Sequence, residues 1–244
     1  QKYTASLFKS WFIDFDPVKA KAVGGTSFNM DEQTTAIFPD SFEDSSLKQI
    51  PKGWKLISLL DLGEFINGCA SQKYPPINFE DRLPVVKIRE MANGITENSD
   101  FASKKTPIKY HLFDGDIVFS WAATLIVKHW HGPNSILNQH IFKVVTSYYP
   151  EWFTFLLLRA CISDFKNMAR DGATMMGHVT RQELKEYTTC VPPIELLNHT
   201  ERLISPLYQS MKNNQRIINL LHETRNALLP QLLSGELNIE GLED

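Results

Sequence analysis

Three histidines stand close enough along the chain to suggest a metal. His129-x-His131 would share one face of a strand, and His140 follows soon after. Three imidazole nitrogens can bind zinc, yet no cysteine or carboxylate completes the set, so structural histidines are the better account. A second constellation pairs Asp116 with Glu183-Leu184-Lys185. A Mg²⁺-dependent nuclease would need both carboxylates on one ion and the lysine beside the attacking water. Here Glu183 and Lys185 fall on a polar stretch that reads as a solvated helix face. The chain has no phosphate-cradling glycine loop followed by Lys-Ser/Thr, no Gly-x-Ser-x-Gly turn and no Cys-x-x-Cys. Pro192-Pro193 lacks the Asn/Asp and aromatic neighbours of an amino-methyltransferase. The pattern points away from an enzyme and leaves a nuclease as the weaker alternative.

Groups suited to nucleic acid are better represented. Lys87 and Arg89 are expected on one face of a strand, with Lys104-Lys105 shortly after. Ser120-Trp121 ends a second strand, Asn138-Gln139-His140 offers amide and imidazole groups, and Gly177-His178-Val179-Thr180-Arg181 adds donors beside a glycine. Amides and arginine read base edges, whereas lysine and arginine hold phosphates. The DNA-contact candidates are therefore Lys87, Arg89, Ser120, Gln139, His140, His178 and Arg181. A structural role for Gln139-His140 and His178–Arg181, holding strands and a helix junction, competes with that reading.

These groups sit in an ordinary globular composition. The 244 residues carry 25 Lys+Arg against 28 Asp+Glu, a formal charge of −3, and 43% are hydrophobic. Such a chain can bury a core in one or two domains. Its net charge predicts no whole-molecule field, so any hold on DNA must rest on a local patch or on basic partners, and isolated binding should be weak and salt-sensitive. No apolar run is long enough for a membrane span. Three widely spaced cysteines, Cys69, Cys161 and Cys190, argue against a disulfide framework and for a reducing cytosol.

The elements that must position these groups fall into three zones. Residues 1–50 open with an apolar stripe at helical spacing, Leu7, Phe8, Trp11, Phe12 and Phe15, in a helix limited by Pro17. From Gly24 to about Gln49 the chain reads as a connector with little regular structure. Residues 51–192 hold strands at Leu83–Arg89, Asp116–Trp121 and His140–Val145 and a helix at Pro150–Met168, a mixed α+β unit. Asn93-Gly94 and Asp114-Gly115 mark turns. Residues 193–244 carry a heptad seam. Leu197, Ile204, Met211, Ile218, Arg225 and Leu232 take a positions, and Thr200, Leu207, Asn214, Leu221 and Leu228 take d positions. A helix over Ile194–Leu229 would be roughly 54 Å long, kinked at Pro206 and ended or bent at Pro230. A stripe of that length requires another long helix, in this chain or in a partner, and the Leu7–Phe15 stripe offers one surface for it.

The order of several segments resembles the specificity subunits of type I restriction–modification systems. Leu7-Phe8-Lys9-Ser10-Trp11-Phe12-Ile13-Asp14-Phe15-Asp16-Pro17 is similar to the motif that closes their central conserved region, and Ile50-Pro51-Lys52-Gly53-Trp54 to the opening of a target recognition domain. Gly115–Ser120 and Leu137–Phe142 resemble internal motifs of that domain. Gly177–Arg181 with Val191-Pro192-Pro193 resembles its exit, and Leu228–Leu237 the C-terminal signature. The resemblance implies a non-catalytic subunit whose recognition domain reads one half of a split DNA site. It also implies conserved helices that set half-site spacing and dock modification and restriction subunits. S-adenosylmethionine, ATP and Mg²⁺ would belong to those partners, with no cofactor in this chain. One recognition domain and one full helix, opening inside a conserved motif without an initiator Met, are expected of a C-terminal half or of a half-length form that pairs, for example as a homodimer. A coiled-coil interaction protein that never touches DNA is the other alternative.

Overall fold

Aromatic side chains bring the start of the chain into the core. The computed structural model describes residues 2–25, 30–46, 48–121, 124–170 and 181–235, without the side chains of 163 and 166–170. Helix α1 (Lys2–Phe12) buries Phe8, Trp11 and Phe12 along one face. Phe12 packs against Phe38, Trp54, Trp152 and Phe153 with ring centroids 5.6–6.4 Å apart. Pro17 does not limit α1. It lies in the first turn of α2 (Asp16–Ala22), where a missing N–H costs nothing, after Phe15 has turned the chain in a left-handed conformation at φ 57°. The expected connector also holds structure. Asp31 accepts a hydrogen bond from the Thr34 N–H at 2.6 Å and caps α3 (Glu32–Ile37), and β1 (Phe42–Asp44) pairs antiparallel with β2 (Gln49–Pro51). Buried Phe38 anchors this segment against Trp11, which a count of polar residues does not reveal.

The chain then runs through β3 (Lys55–Ser58), β4 (Glu64–Asn67), β5 (Arg82–Val86), α4 (Ile88–Asn93), β6 (Phe101–Ser103) and β7 (His111–Leu112). It continues through β8 (Ile117–Ser120), β9 (Ile126–His129), β10 (Ser135–Leu137) and β11 (Ile141–Val145) into α5 (Glu151–Arg170). Short α6 (Arg181–Glu186) and β12 (Thr188–Val191) lead to α7 (Ile194–Leu233). One four-stranded sheet is antiparallel in the order β4-β11-β8-β9. A second, β6-β5-β10-β7, pairs β10 parallel to β5, and β12 closes back on β3. Helix α5 buries Trp152 through Leu158 without interruption and packs on β9. The register fixes which ends coincide: Ile141 faces Ser120, Ser120 faces Ile126 and Phe142 faces Asn67, so these residues share one end of the antiparallel sheet. Gly68 joins the two sheets. A Cβ there would lie 2.2 Å from the Asn138 carbonyl oxygen, so only glycine permits the adjoining Cys69–Asn138 bridge.

Helix α7 has 40 residues, about 60 Å, and continues through both Pro206 and Pro230. Pro230 therefore does not end the helix, which runs on to Leu233. The seam divides in two. Leu197, Thr200, Ile204 and Met211 are buried and Leu207 is half-buried, covered by α1, α3 and α5 of this chain. Thr200 is satisfied there by donating to the Leu196 carbonyl at 2.9 Å. Asn214, Ile218, Leu221 and Leu228 are exposed. The first half of the stripe thus needs no second long helix, whereas the second half presents Ile217, Ile218, Leu220, Leu221, Leu228 and Leu229 to solvent.

Candidate nucleic-acid interface

Lys87 and Arg89 are not on a strand. Strand β5 stops at Val86 because the Lys87 N–H donates to Glu90 Oε2 at 3.2 Å, which starts α4 in the manner of a capping box. Lys87 Nζ pairs with Asp100. Arg89 donates to buried Glu90 at 2.7 Å and to the Asn98 carbonyl at 2.8 Å. Ser99 also donates to Glu90, at 3.0 Å. Both cations are engaged in holding the α4 turn. Ser120 is fully buried, its hydroxyl bonded to the Thr124 carbonyl and accepting from the Ile126 N–H at 3.1 Å, so it shapes the β8–β9 turn.

Gln139 and His140 remain exposed at the shared end of the antiparallel sheet. The His140 ring lies 5.6 Å from the Trp121 ring, and Trp121 Nε1 donates to Asn67 at 3.4 Å. Arg181 starts α6 and donates to the Phe65 carbonyl at 3.1 Å, tying that helix to β4. His178 lies outside the described residues. The fold brings Trp121 beside His140, which the sequence named separately, and gives Lys87, Arg89, Ser120 and Arg181 internal partners that the sequence did not reveal.

A different surface, formed by β5, β6 and their flanking loops, exposes Lys73, Lys104, Lys105 and Lys109. Beside them Ile77 and Phe79 are 73% and 74% exposed. Their loop is preorganised: Asp81 accepts from the Ile77 N–H at 3.2 Å and the Ser103 hydroxyl at 2.8 Å, and Asn78 accepts from the Asp81 N–H at 2.9 Å. Those bonds hold the Asp81 carboxyl below the usual carboxylate range. Of this surface the sequence singled out only Lys104 and Lys105. The missed signal is a polar-punctuated loop with two bulky apolar residues that no helical or strand period explains.

The lobe is locked to α7 by a polar junction. Tyr208, fully buried, donates its hydroxyl to Glu151 Oε1 at 2.8 Å, and Lys212 donates to the same oxygen at 2.8 Å. His129 Nε2 stands 2.6 Å from the Tyr208 oxygen. The single phenolic proton is already committed, so His129 is the donor there. Burial keeps that imidazole neutral by pushing its pKa down. Burial also opposes ionisation of Glu151, but the bonds from His129, Lys212 and Tyr208 prevail and hold it at about 2. A second contact runs from His131 to Asp114 at 2.9 Å and from Asp114 to Arg216 at 3.4 Å. His129 and His131 are therefore used in the junction, while the strand register puts His140 at the other end of the sheet.

Asp116 accepts from the Phe113 N–H at 2.9 Å and serves the turn before β8. Among the described residues no group of three or more His, Cys, Asp or Glu side chains could hold a metal. Cys69, Cys161 and Cys190 are free and buried, and burial pushes the last two thiols up to about 12. No described helix is long and apolar enough to cross a membrane.

Residues 51–223 match the family described as type I restriction modification DNA specificity domain. The chain is 26% identical over 253 residues to the MjaIX specificity subunit of Methanocaldococcus jannaschii, an alignment covering 99% of this chain and 54% of that protein. It is 23% identical over 282 residues to the HindI specificity subunit of Haemophilus influenzae, covering 97% and 61%. The chain spans about half the length of the curated relatives it matches. The HsdS subunit of Thermoanaerobacter tengcongensis superposes with a TM-score of 0.42 at 15% identity, over 97% of this chain and 55% of that one. The family match spans β3 to β12 with their loops and the docked part of α7, and the chain belongs to the family of type I restriction–modification DNA specificity domains.

Proposed function

We propose that this chain is a DNA-recognition subunit, or the recognition-bearing half of one, that reads one half of a split site and has no catalytic role itself. The observation that carries the reading is the division of its cations. Lys87, Arg89 and Arg181 hold loops and helices in place, whereas Lys73, Lys104 and Lys105, in the loops next to β5 and β6, and Lys109, just before β7, are exposed and have no ion pair among the described residues. A basic face with aromatic company suits a phosphate backbone and the base edges within a groove. Of the candidate contacts, Gln139 and His140 are exposed at the sheet end, while His178 lies outside the described residues.

Helix α7 is the spacer in this reading. Its first half is fixed to the lobe by Leu197, Ile204, Tyr208 and Met211, and its exposed second half offers Ile218, Leu221 and Leu228 to another long helix. That helix would come from a second conserved segment or from a second copy of the chain. The modification and restriction subunits would dock on this assembly and supply the chemistry, with S-adenosylmethionine, ATP and Mg²⁺ bound by them. The residues 51–192 form the recognition unit in this scheme and residues from 193 onward the helical arm.

Co-expression with the modification subunits of the same system, followed by mapping of methylated adenines, tests the reading. One defined split word is expected, and methylation without a defined word rules the reading out. With the purified assembly, Lys104→Ala combined with Lys105→Ala should lower the log–log salt slope of binding by about 2, since each lysine–phosphate contact contributes about 1.

A further inference from the structure

Arg82 stands apart from the other arginines. Its guanidinium carbon lies 3.6 Å from the centroid of the Phe79 ring and 4.2 Å from that of Phe101. The register explains the second contact. Arg82 faces Ser103 across β5 and β6, so Phe101 is its diagonal neighbour on the same face. Among the described arginine side chains every other one has a polar protein partner: Arg89 donates to Glu90, Arg159 to Met211, Arg181 to Phe65, Arg202 to His199 and Arg225 to Asn226, and Arg216 forms an ion pair with Asp114. Arg82 makes no side-chain hydrogen bond or ion pair among the described residues, although Asp81 is next to it in the chain and Asp100 adjoins Phe101. Those carboxylates are occupied, Asp81 by Ile77 and Ser103 and Asp100 by Lys87.

A guanidinium has five N–H donors in a planar fork. On a half-exposed side chain without a protein acceptor among the described residues those donors stay available to a ligand, while contact with two rings restricts the directions the guanidinium can take. A phosphate contact does not require a fixed plane, and the neighbouring Lys73, Lys104, Lys105 and Lys109 already supply mobile cations for that purpose. A fixed fork matches two acceptors side by side, the arrangement that guanine O6 and N7 present in the major groove. The bound loop beside it holds Ile77 and Phe79 where they can touch an adjacent base or a thymine methyl.

Resting on the DNA-recognition reading, we propose that Arg82 is a specificity-determining residue that reads one guanine in the half-site, with Phe79 and Phe101 as positioning residues that hold its plane.

The test uses the full assembly with its modification subunits and maps methylated sites for wild type, Arg82→Lys, Arg82→Ala and Phe79→Leu. Arg82→Lys keeps the charge and loses the fork. It should relax the requirement for guanine at one position by roughly 10- to 100-fold and leave the rest of the word intact. Arg82→Ala should do the same with weaker overall binding, and Phe79→Leu should relax the same position by less. Should the alanine variant fail to accumulate, the lysine and leucine variants decide. An unchanged word in Arg82→Lys overturns the assignment while leaving the DNA-recognition reading standing. So does a wild-type half-site that contains no guanine. A wild-type assembly that marks no defined word would instead remove the reading itself.

Discussion

Removing one oxygen at the lobe–helix junction isolates its contribution. Tyr208→Phe deletes the hydroxyl that donates to Glu151 at 2.8 Å and accepts from His129 at 2.6 Å, and keeps the ring that packs edge-on against Phe155 at 5.7 Å. A hydrogen bond to a charged acceptor contributes about 1.5–3 kcal/mol, and a buried donor left unpaired adds to the loss. Part of that returns, because Glu151 keeps Lys212 at 2.8 Å and lies 3.5 Å from His129, close enough for a small shift to restore a bond. The net cost should be about 1–2 kcal/mol. At about 2–4 °C per kcal/mol for a chain of this size, the melting temperature should fall by about 2–8 °C. Thermal denaturation followed by circular dichroism measures it. A double-mutant cycle with Glu151→Gln should give a coupling of about 1 kcal/mol, since the two groups touch. An unchanged melting temperature together with zero coupling would refute the reasoning, because the hydroxyl would then be solvated in the folded state.

The acid limb of the same junction gives an independent check. Glu151 is held at about 2 against an ordinary value of 4.5, so its stabilisation is complete above the ordinary value and declines as the pH falls toward 2; Glu151→Gln should flatten that part of the urea-midpoint profile between pH 5 and 3. Ile204→Ala, at a fully buried position on α7, should cost about 2–5 kcal/mol in chemical denaturation. Leu221→Asp with Leu228→Asp, on the exposed half of α7, should leave the melting of the lobe unchanged and abolish helix-mediated assembly, read by light scattering.

Period and residue type predicted the elements whose burial is uniform. Helix α5 and strands β8 and β11 were legible because each holds a run of buried residues, and the long helix was legible from its heptad period although only its first half is buried. What failed were segments fixed by single side chains. Asp31 and Phe38 convert an apparently featureless polar stretch into a capped helix docked on aromatics. Glu90 ends β5 one residue before Lys87 and pairs with the exposed Arg89. A cation's residue type does not reveal which carboxylate will claim it: Lys87 pairs with Asp100, thirteen residues on, and Arg89 with its neighbour Glu90. The heptad seam misled in a related way: it is continuous in sequence, yet the lobe claims its first half, where Leu196 and Tyr208, off the a and d positions, are also buried and Tyr208 packs on Phe155 of α5.

The formal charge of −3 is best understood through that same competition. A net count weights every lysine and arginine equally, but a paired cation contributes little field at the surface and cannot grip phosphate without breaking its pair. Lys87, Arg89, Lys212 and Arg216 each have a carboxylate partner, so the acidic residues that lower the total are partly spent inside the fold. What remains for DNA is the set without an ion pair or side-chain hydrogen bond among the described residues, and around β5 and β6 that set is Lys73, Arg82, Lys104, Lys105 and Lys109. A patch of about five cations predicts a salt slope near −4 to −5 if all engage phosphate, at about 0.9 per contact. If Arg82 reads a base, it drops out of the phosphate count. Arg82→Lys should then leave the slope unchanged while it relaxes the word, whereas Lys104→Ala should lower the slope and leave the word alone. The two substitutions separate holding DNA from reading it.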